Sequence, residues 1–187
     1  SDDRLDFNIE DLILRIATIP LEMKGRLSVD GSGVEIPELS GRINGYNIKE
    51  LFAYIPESFL DPDRIRTDAS INVAADVKGR YDFKSGEMPV VDFSFAIPQS
   101  TIELRGSKEG QKAVFKNVEA DMNLHFDQKD IKANNLNINK FSIEGRGIGL
   151  NVSGSCKEYT KDPVLNFKAS AAIDLDTLSA IIKPKDG

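Results

Sequence analysis

Residues 152 to 184 read Val152-Ser-Gly-Ser155, a polar loop, Pro163-Val-Leu-Asn-Phe-Lys-Ala-Ser-Ala-Ala-Ile173, then Asp174-Leu-Asp-Thr-Leu-Ser-Ala-Ile-Ile-Lys-Pro184. The order is a glycine turn-in, a proline-opened alternating strand and one short amphipathic helix. Parts of it occur twice earlier. Met23-Lys-Gly-Arg26 and Val77-Lys-Gly-Arg80 each precede a loop and a proline-led strand, Pro37-Glu-Leu-Ser-Gly41 and Pro89-Val-Val-Asp-Phe93. The closing helix pattern recurs at Asn47-Ile-Lys-Glu-Leu-Phe-Ala-Tyr-Ile-Pro56, with Asn47 as its N-cap, Ile48, Leu51, Phe52 and Ile55 as its stripe and Pro56 as its stop. The middle copy has Ile97-Pro-Gln-Ser100 there instead. Fixed-order recurrence marks a repeat architecture. The chain is predicted to be one mainly β domain of three degenerate units, 5–56, 65–106 and 112–184.

Working outward, Val118–Asp127 is the cleanest alternation. Val118, Ala120, Met122, Leu124 and Phe126 oppose Glu119, Asp121, Asn123, His125 and Asp127, the period of a half-buried strand. Ala69–Val77 and Val91–Ile97 alternate likewise, Ile102 and Leu104 suggest a short strand, and Ser107-Lys-Glu-Gly110 a hairpin turn. Leu136–Ile138, Phe141–Gly145 and Ile148–Val152 continue the pattern as separate strands. Near the start, β-branched residues favour a strand over a helix from Leu5 to Ile19, ended by Pro20. Glu22–Asp30 alternates, Asp30-Gly-Ser-Gly33 is a turn, and Val34–Asn44 returns. The proline- and aspartate-rich stretch from Pro56 to Arg66 reads as a connector, and the region from Tyr81 to Met88 as a loop.

Composition narrows the function classes. The 187 residues are 40% hydrophobic and 29% charged, an ordinary balance for a folded domain. A net charge of −6 argues against nucleic acid, which needs concentrated Lys and Arg. The lone Cys156 allows no internal disulfide, and no basic neighbour activates it as a nucleophile. His125 lies on a polar strand face beside carboxylates, and no second His or Cys joins it as a metal ligand. Asp61-Pro-Asp63 is turn chemistry, far short of a calcium loop. Gly145-Arg-Gly-Ile-Gly149 leads into a strand and lacks the lysine of a phosphate loop. No cofactor, metal or catalytic residue is expected. No apolar run is long enough to span a membrane. The abrupt opening on Ser1-Asp-Asp3 suggests a fragment whose anchor and targeting segments lie outside it.

About a dozen one-sided strands joined by short turns imply an antiparallel meander. Two short helices cannot cover it. The sheet is therefore expected to curl into a groove or fold as a sandwich. The candidate lining comprises Val73, Val91, Phe93 and Phe95, then Met122, Leu124 and Phe126, then Ile138, Ile143, Leu150, Leu165 and Phe167. In a closed sandwich the same residues would form an ordinary core.

The tail carries a resemblance. Ile173-Asp-Leu-Asp-Thr-Leu178, following an alternating strand and preceding a proline, is similar to the strand-to-helix junction that recurs in the AsmA-like family of Gram-negative envelope proteins. Gly45-Tyr-Asn-Ile-Lys-Glu-Leu51 matches it less closely, and the middle unit departs from it. The resemblance covers 118–184 well and the first unit loosely. It implies a β groove with a hydrophobic lining, no enzymatic activity, periplasmic placement and tethering to the inner membrane. It also implies a part in outer-membrane assembly or phospholipid transport. The expected partners are phospholipid acyl chains, envelope proteins or neighbouring repeats of the same chain. The alternative is a structural or protein-interaction scaffold with a closed core and no lipid ligand.

Overall fold

The computed structural model describes residues 4–52, 62–105, 112–145 and 147–174. Its strands are β1 (Leu5–Ile16), β2 (Ile19–Asp30), β3 (Gly33–Asn47), β4 (Ile65–Thr67), β5 (Ser70–Asp82), β6 (Val90–Arg105), β7 (Lys112–Phe126), β8 (Asn135–Gly145), β9 (Ile148–Lys157) and β10 (Val164–Ile173). They form one open antiparallel sheet in the order β1-β2-β3-β5-β6-β7-β8-β9-β10, with β4 pairing β6. No second sheet faces it among the described residues, so the sandwich expectation does not hold for them. One helix, α1 (Ile48–Phe52), and short 3-10 turns at Pro62–Arg64 and Ile131–Ala133 complete the described elements. The second expected helix, from Asp174 to Pro184, falls outside the described residues but for Asp174. So do the turn at 107–110 and the residues 53–61 that would complete the first helix and open the connector.

Bulges explain where the expected strands differ. A bulge repeats one step of the pleat, and beyond it the apolar set falls on alternate residues of the other parity. Leu136–Ile138 and Phe141–Gly145 are one strand, β8, with the register shift between Ile138 and Phe141. The segments ending at Ile97 and starting at Ile102 are likewise one strand, β6, which turns through Pro98-Gln99 with shifts on both sides of Ser100. Its first half pairs β5 and its second half pairs β4. Pro37 does not lead a strand. It lies inside β3, at a register shift between Ile36 and Leu39, where a missing N–H breaks no regular pairing. Pro20 does not end the first strand either. β1 stops at Ile16, Ala17 turns with φ 55°, and Pro20 is already in β2, opposite Arg15. Asp82 still belongs to β5, so the loop expected from Tyr81 starts later.

The two ends of the sheet are built differently. At one end α1 packs against β3 and β4, and β4 extends the sheet along the second half of β6. Ile48 N–H donates to the Ala69 carbonyl (3.0 Å), and Asn47 Oδ1 caps α1 by accepting from Lys49 N–H (2.8 Å). Tyr46, Ile65, Ala69, Ile71 and Ala113 are buried here, and the Tyr46 hydroxyl meets Thr18 Oγ1. At the other end three turns are each held by an aspartate whose Oδ1 accepts two successive backbone N–H groups. Asp30 accepts from Ser32 and Gly33, Asp82 from Lys84 and Ser85, and Asp127 from Lys129 and Asp130. These bonds favour the ionised form and hold all three carboxyls below the usual range, led in Asp30 by the Ser32 side chain and in the others by backbone N–H donors.

Candidate functional site

Cross-strand partners share a face of an antiparallel sheet, so the register can be followed across the molecule. One row runs Leu12, Met23, Gly41, Ala75, Phe93, Leu124, Leu136, Cys156, Leu165, one residue from each of nine strands. Beside it run Ile9, Gly25, Leu39, Val77, Val91, Phe126 and, on the other flank, Ile43, Val73, Phe95, Met122, Ile138, Gly154, Phe167. Every member is apolar or glycine. At about 4.8 Å per strand the longest row spans roughly 38 Å.

The intervening rows are polar. Glu22, Arg42, Ala74, Ser94, Asn123, Asn137, Ser155 and Asn166 follow one another across eight strands. Arg42 grips both carboxylate oxygens of Asp76 (2.7 and 2.8 Å), and Asn137 Nδ2 donates to Asn123 Oδ1 (2.9 Å). Arg26 pairs Glu38 at 2.9 Å, and Lys140 pairs Glu119. His125 Nδ1 lies 2.7 Å from Asp92 Oδ1 on this face. Two shallow hollows, about 620 and 370 Å³, open among these polar rows, the larger around Lys24, Arg26, Arg42, Asp76 and Lys78. Its charges are mixed, with Arg26 paired to Glu38 and Arg42 to Asp76 across strands.

All twelve lining candidates fall on the apolar face. Val73, Phe95, Met122, Ile138 and Phe167 share one row, Phe93, Leu124 and Leu165 the next, and Val91 and Phe126 the third. Ile143 and Leu150 pair directly further along. None is fully buried. Phe93, Leu165 and Phe167 are exposed at 38%, 65% and 42%, and the others are half-buried by their neighbours in the sheet. The face also takes in residues absent from that candidate set: Leu12, Met23, Leu39, Ile43, Leu136 and Cys156. The alternation of Met23 with Leu27 was a readable signal for β2. β1 hides its phase because a bulge between Ile9 and Leu12 moves the apolar set from odd to even positions. Cys156, next to last in β9, is a buried member of the apolar row, between Leu136 and Leu165.

The repeated glycines have a geometric role on this face. Gly25, Gly79 and Gly154 all sit inside strands with positive φ (148°, 117° and 155°). At Gly154 a Cβ would lie 2.3 Å from the Asn166 carbonyl oxygen and 2.5 Å from the Phe167 ring; at Gly25 it would lie 2.3 Å from the Glu38 oxygen. Gly25 and Gly154 are positions of close strand approach that only glycine allows, whereas at Gly79 the nearest atom would be 3.6 Å away and the positive φ alone favours glycine. Gly145 and Gly147 flank a β8–β9 hairpin and build no phosphate loop.

Among the described residues no cluster of three or more metal-ligating side chains occurs, and no helix is long and apolar enough to cross a membrane. Comparison with protein-family models, with characterised proteins and with solved structures finds no match.

Proposed function

We propose that the chain is a non-enzymatic lipid-binding module of the bacterial envelope, its apolar face curled into a groove that receives phospholipid acyl chains. One observation carries this reading: the row from Leu12 to Leu165 crosses nine strands without a polar side chain, and its members Leu12, Phe93 and Leu165 are exposed at 37%, 38% and 65%. An apolar row of this length, half-buried along most of its course and exposed at Leu12, Phe93 and Leu165, supports a binding surface. Acyl chains suit it because they need no hydrogen-bond partner and tolerate any register along a smooth apolar strip. The tail's resemblance to the AsmA-like junction at Ile173–Leu178 supports the same reading. With it come placement in the periplasm, tethering to the inner membrane through a segment outside this chain, and service in outer-membrane assembly or phospholipid transport. The test is lipid extraction and mass spectrometry of the chain purified from a Gram-negative host, beside Phe95→Asp and Phe126→Asp. Stoichiometric phospholipid in the parent, lost in folded variants, supports the groove. Absence of lipid, with variants that unfold, returns the face to the role of a structural core and favours the scaffold reading.

A further inference from the structure

The two outer strands of the sheet are unlike. β1 carries Asp6, Glu10, Asp11 and Arg15 and a bulge between Ile9 and Leu12, devices that blunt an edge. β10 has none of them. It pairs β9 over ten successive residues without a register shift, it contains no proline and no carboxylate, and its only charge is Lys168. All ten of its residues are exposed, and among the described residues no strand lies on its other side. A long, regular, nearly uncharged edge is a template for another strand.

We infer that β10 is a self-pairing edge: two copies of this chain join their β10 strands antiparallel about a twofold axis through Ala169, making one sheet across both copies. The sequence of β10 is self-complementary in that register. Phe167 faces the partner's Ala171 and Leu165 faces the partner's Ile173, large against small and apolar against apolar on one face. Lys168 faces the partner's Ser170 on the other. A one-residue slip sets apolar side chains against polar ones. Of the two neighbouring in-phase registers, the one with its axis at Lys168 opposes two ammonium groups directly, and the one with its axis at Ser170 pairs only residues 167–173 and leaves Leu165 without an apolar partner. The axis stands perpendicular to the sheet, so both apolar faces lie on the same side and the row ending at Leu165 continues into the partner. The blunted β1 edges stop growth at two copies, giving a closed isologous dimer rather than a fibre. This pairing requires no lipid and stands apart from the groove reading.

Sedimentation of the 187-residue chain across a range of concentrations, with three variants, tests it. The parent is expected to dimerise reversibly. Ser170→Lys, an exposed polar-face change, opposes the introduced lysine to the partner's Lys168 twice per dimer and is expected to weaken association roughly tenfold. Lys168→Glu added to Ser170→Lys is expected to restore it. Ala169→Cys is expected to form a disulfide-linked dimer on mild oxidation, since opposed Cα atoms in an antiparallel pair lie about 4.5–5.5 Å apart, within disulfide reach. Phe167→Cys, four residues out of register with its own copy and so about 13 Å away, is expected not to cross-link. A chain that stays monomeric from micromolar to millimolar concentration overturns the inference. So does a dimer that ignores Ser170→Lys and leaves Ala169→Cys uncross-linked.

Discussion

Two rows run across the same strands one residue apart, and nearly everything about this molecule follows from their difference. The row from Leu12 to Leu165 holds only apolar side chains and glycine, whereas the row from Glu22 to Asn166 holds opposite charges at Glu22 and Arg42, hydroxyls and asparagines. The polar face makes its own contacts: Arg42 grips Asp76, Glu22 accepts from Asn44, and Asn137 donates to Asn123, and the remaining polar groups face water. The apolar row is half-buried along most of its course, buried at Cys156, and exposed at Leu12, Phe93 and Leu165, and no second sheet covers it among the described residues. An open sheet in which one face is finished and the other is not is organised around whatever covers the unfinished face.

The sharpest break comes at the glycines of the apolar face. Gly154→Ala is expected to cost about 3 kcal/mol or more, because its Cβ meets the Asn166 carbonyl oxygen at 2.3 Å while φ stays at 155°. Gly79→Ala, whose Cβ would find its closest neighbour at 3.6 Å, is expected to cost about 1 kcal/mol, from the positive φ alone. Urea denaturation midpoints separate the two. Next in size is the contrast between faces. Leu124→Ala is expected to lose about 1.5 kcal/mol, a reduced cavity cost for a half-buried side chain. Ser94→Ala, one strand over on the polar face, is expected to stay within about 0.5 kcal/mol.

Acid sharpens the comparison between the ends of the sheet. Asp30, Asp82 and Asp127 have depressed folded-state pKa values, so their contribution is fully present above the ordinary carboxylate pKa of 3.8 and fades as pH falls below it. Amide exchange at Lys84, Ser85, Lys129 and Asp130 is expected to accelerate as pH falls below 3.8, after correction for intrinsic rates, before exchange at Ile48 does. Asp82→Asn should remove the pH dependence at Lys84 and Ser85 alone. The smallest effect is expected from Asp76→Asn on the polar face. It breaks an exposed ion pair with Arg42 and should cost under about 1 kcal/mol, less still in 1 M salt.

How far the sequence was readable depends on where the pleat is regular. Val118–Phe126 keeps strict alternation, and the strand and both its faces could be read directly. Every lining candidate was found on an alternating stretch, and each landed on the apolar face. Where a bulge shifts the phase, at Ile9/Leu12, Ile97/Ser100 and Ile138/Phe141, one strand reads as two, or its face is lost. Proline misled in the same way: Pro20, Pro37 and Pro98 look like strand boundaries, yet each sits inside a strand, two of them at register shifts. The repeated Gly25, Gly79 and Gly154 were legible as a motif but not as a geometry, since positive φ inside a strand depends on the neighbour it must approach. The three aspartate-closed turns were equally hidden. Asp30-Gly announces a turn, whereas Asp82 and Asp127 act through backbone N–H groups two and three residues on.

The most direct measurement places a photo-cross-linking residue at Phe95 in one sample and at its chain neighbour Ser94 in another, then irradiates each with phospholipid vesicles. The two positions share a strand and differ in the face they occupy. Lipid adducts at position 95 and none above background at position 94 are the expected result. Equal labelling at both positions, or labelling at neither, would contradict an apolar face that takes up acyl chains.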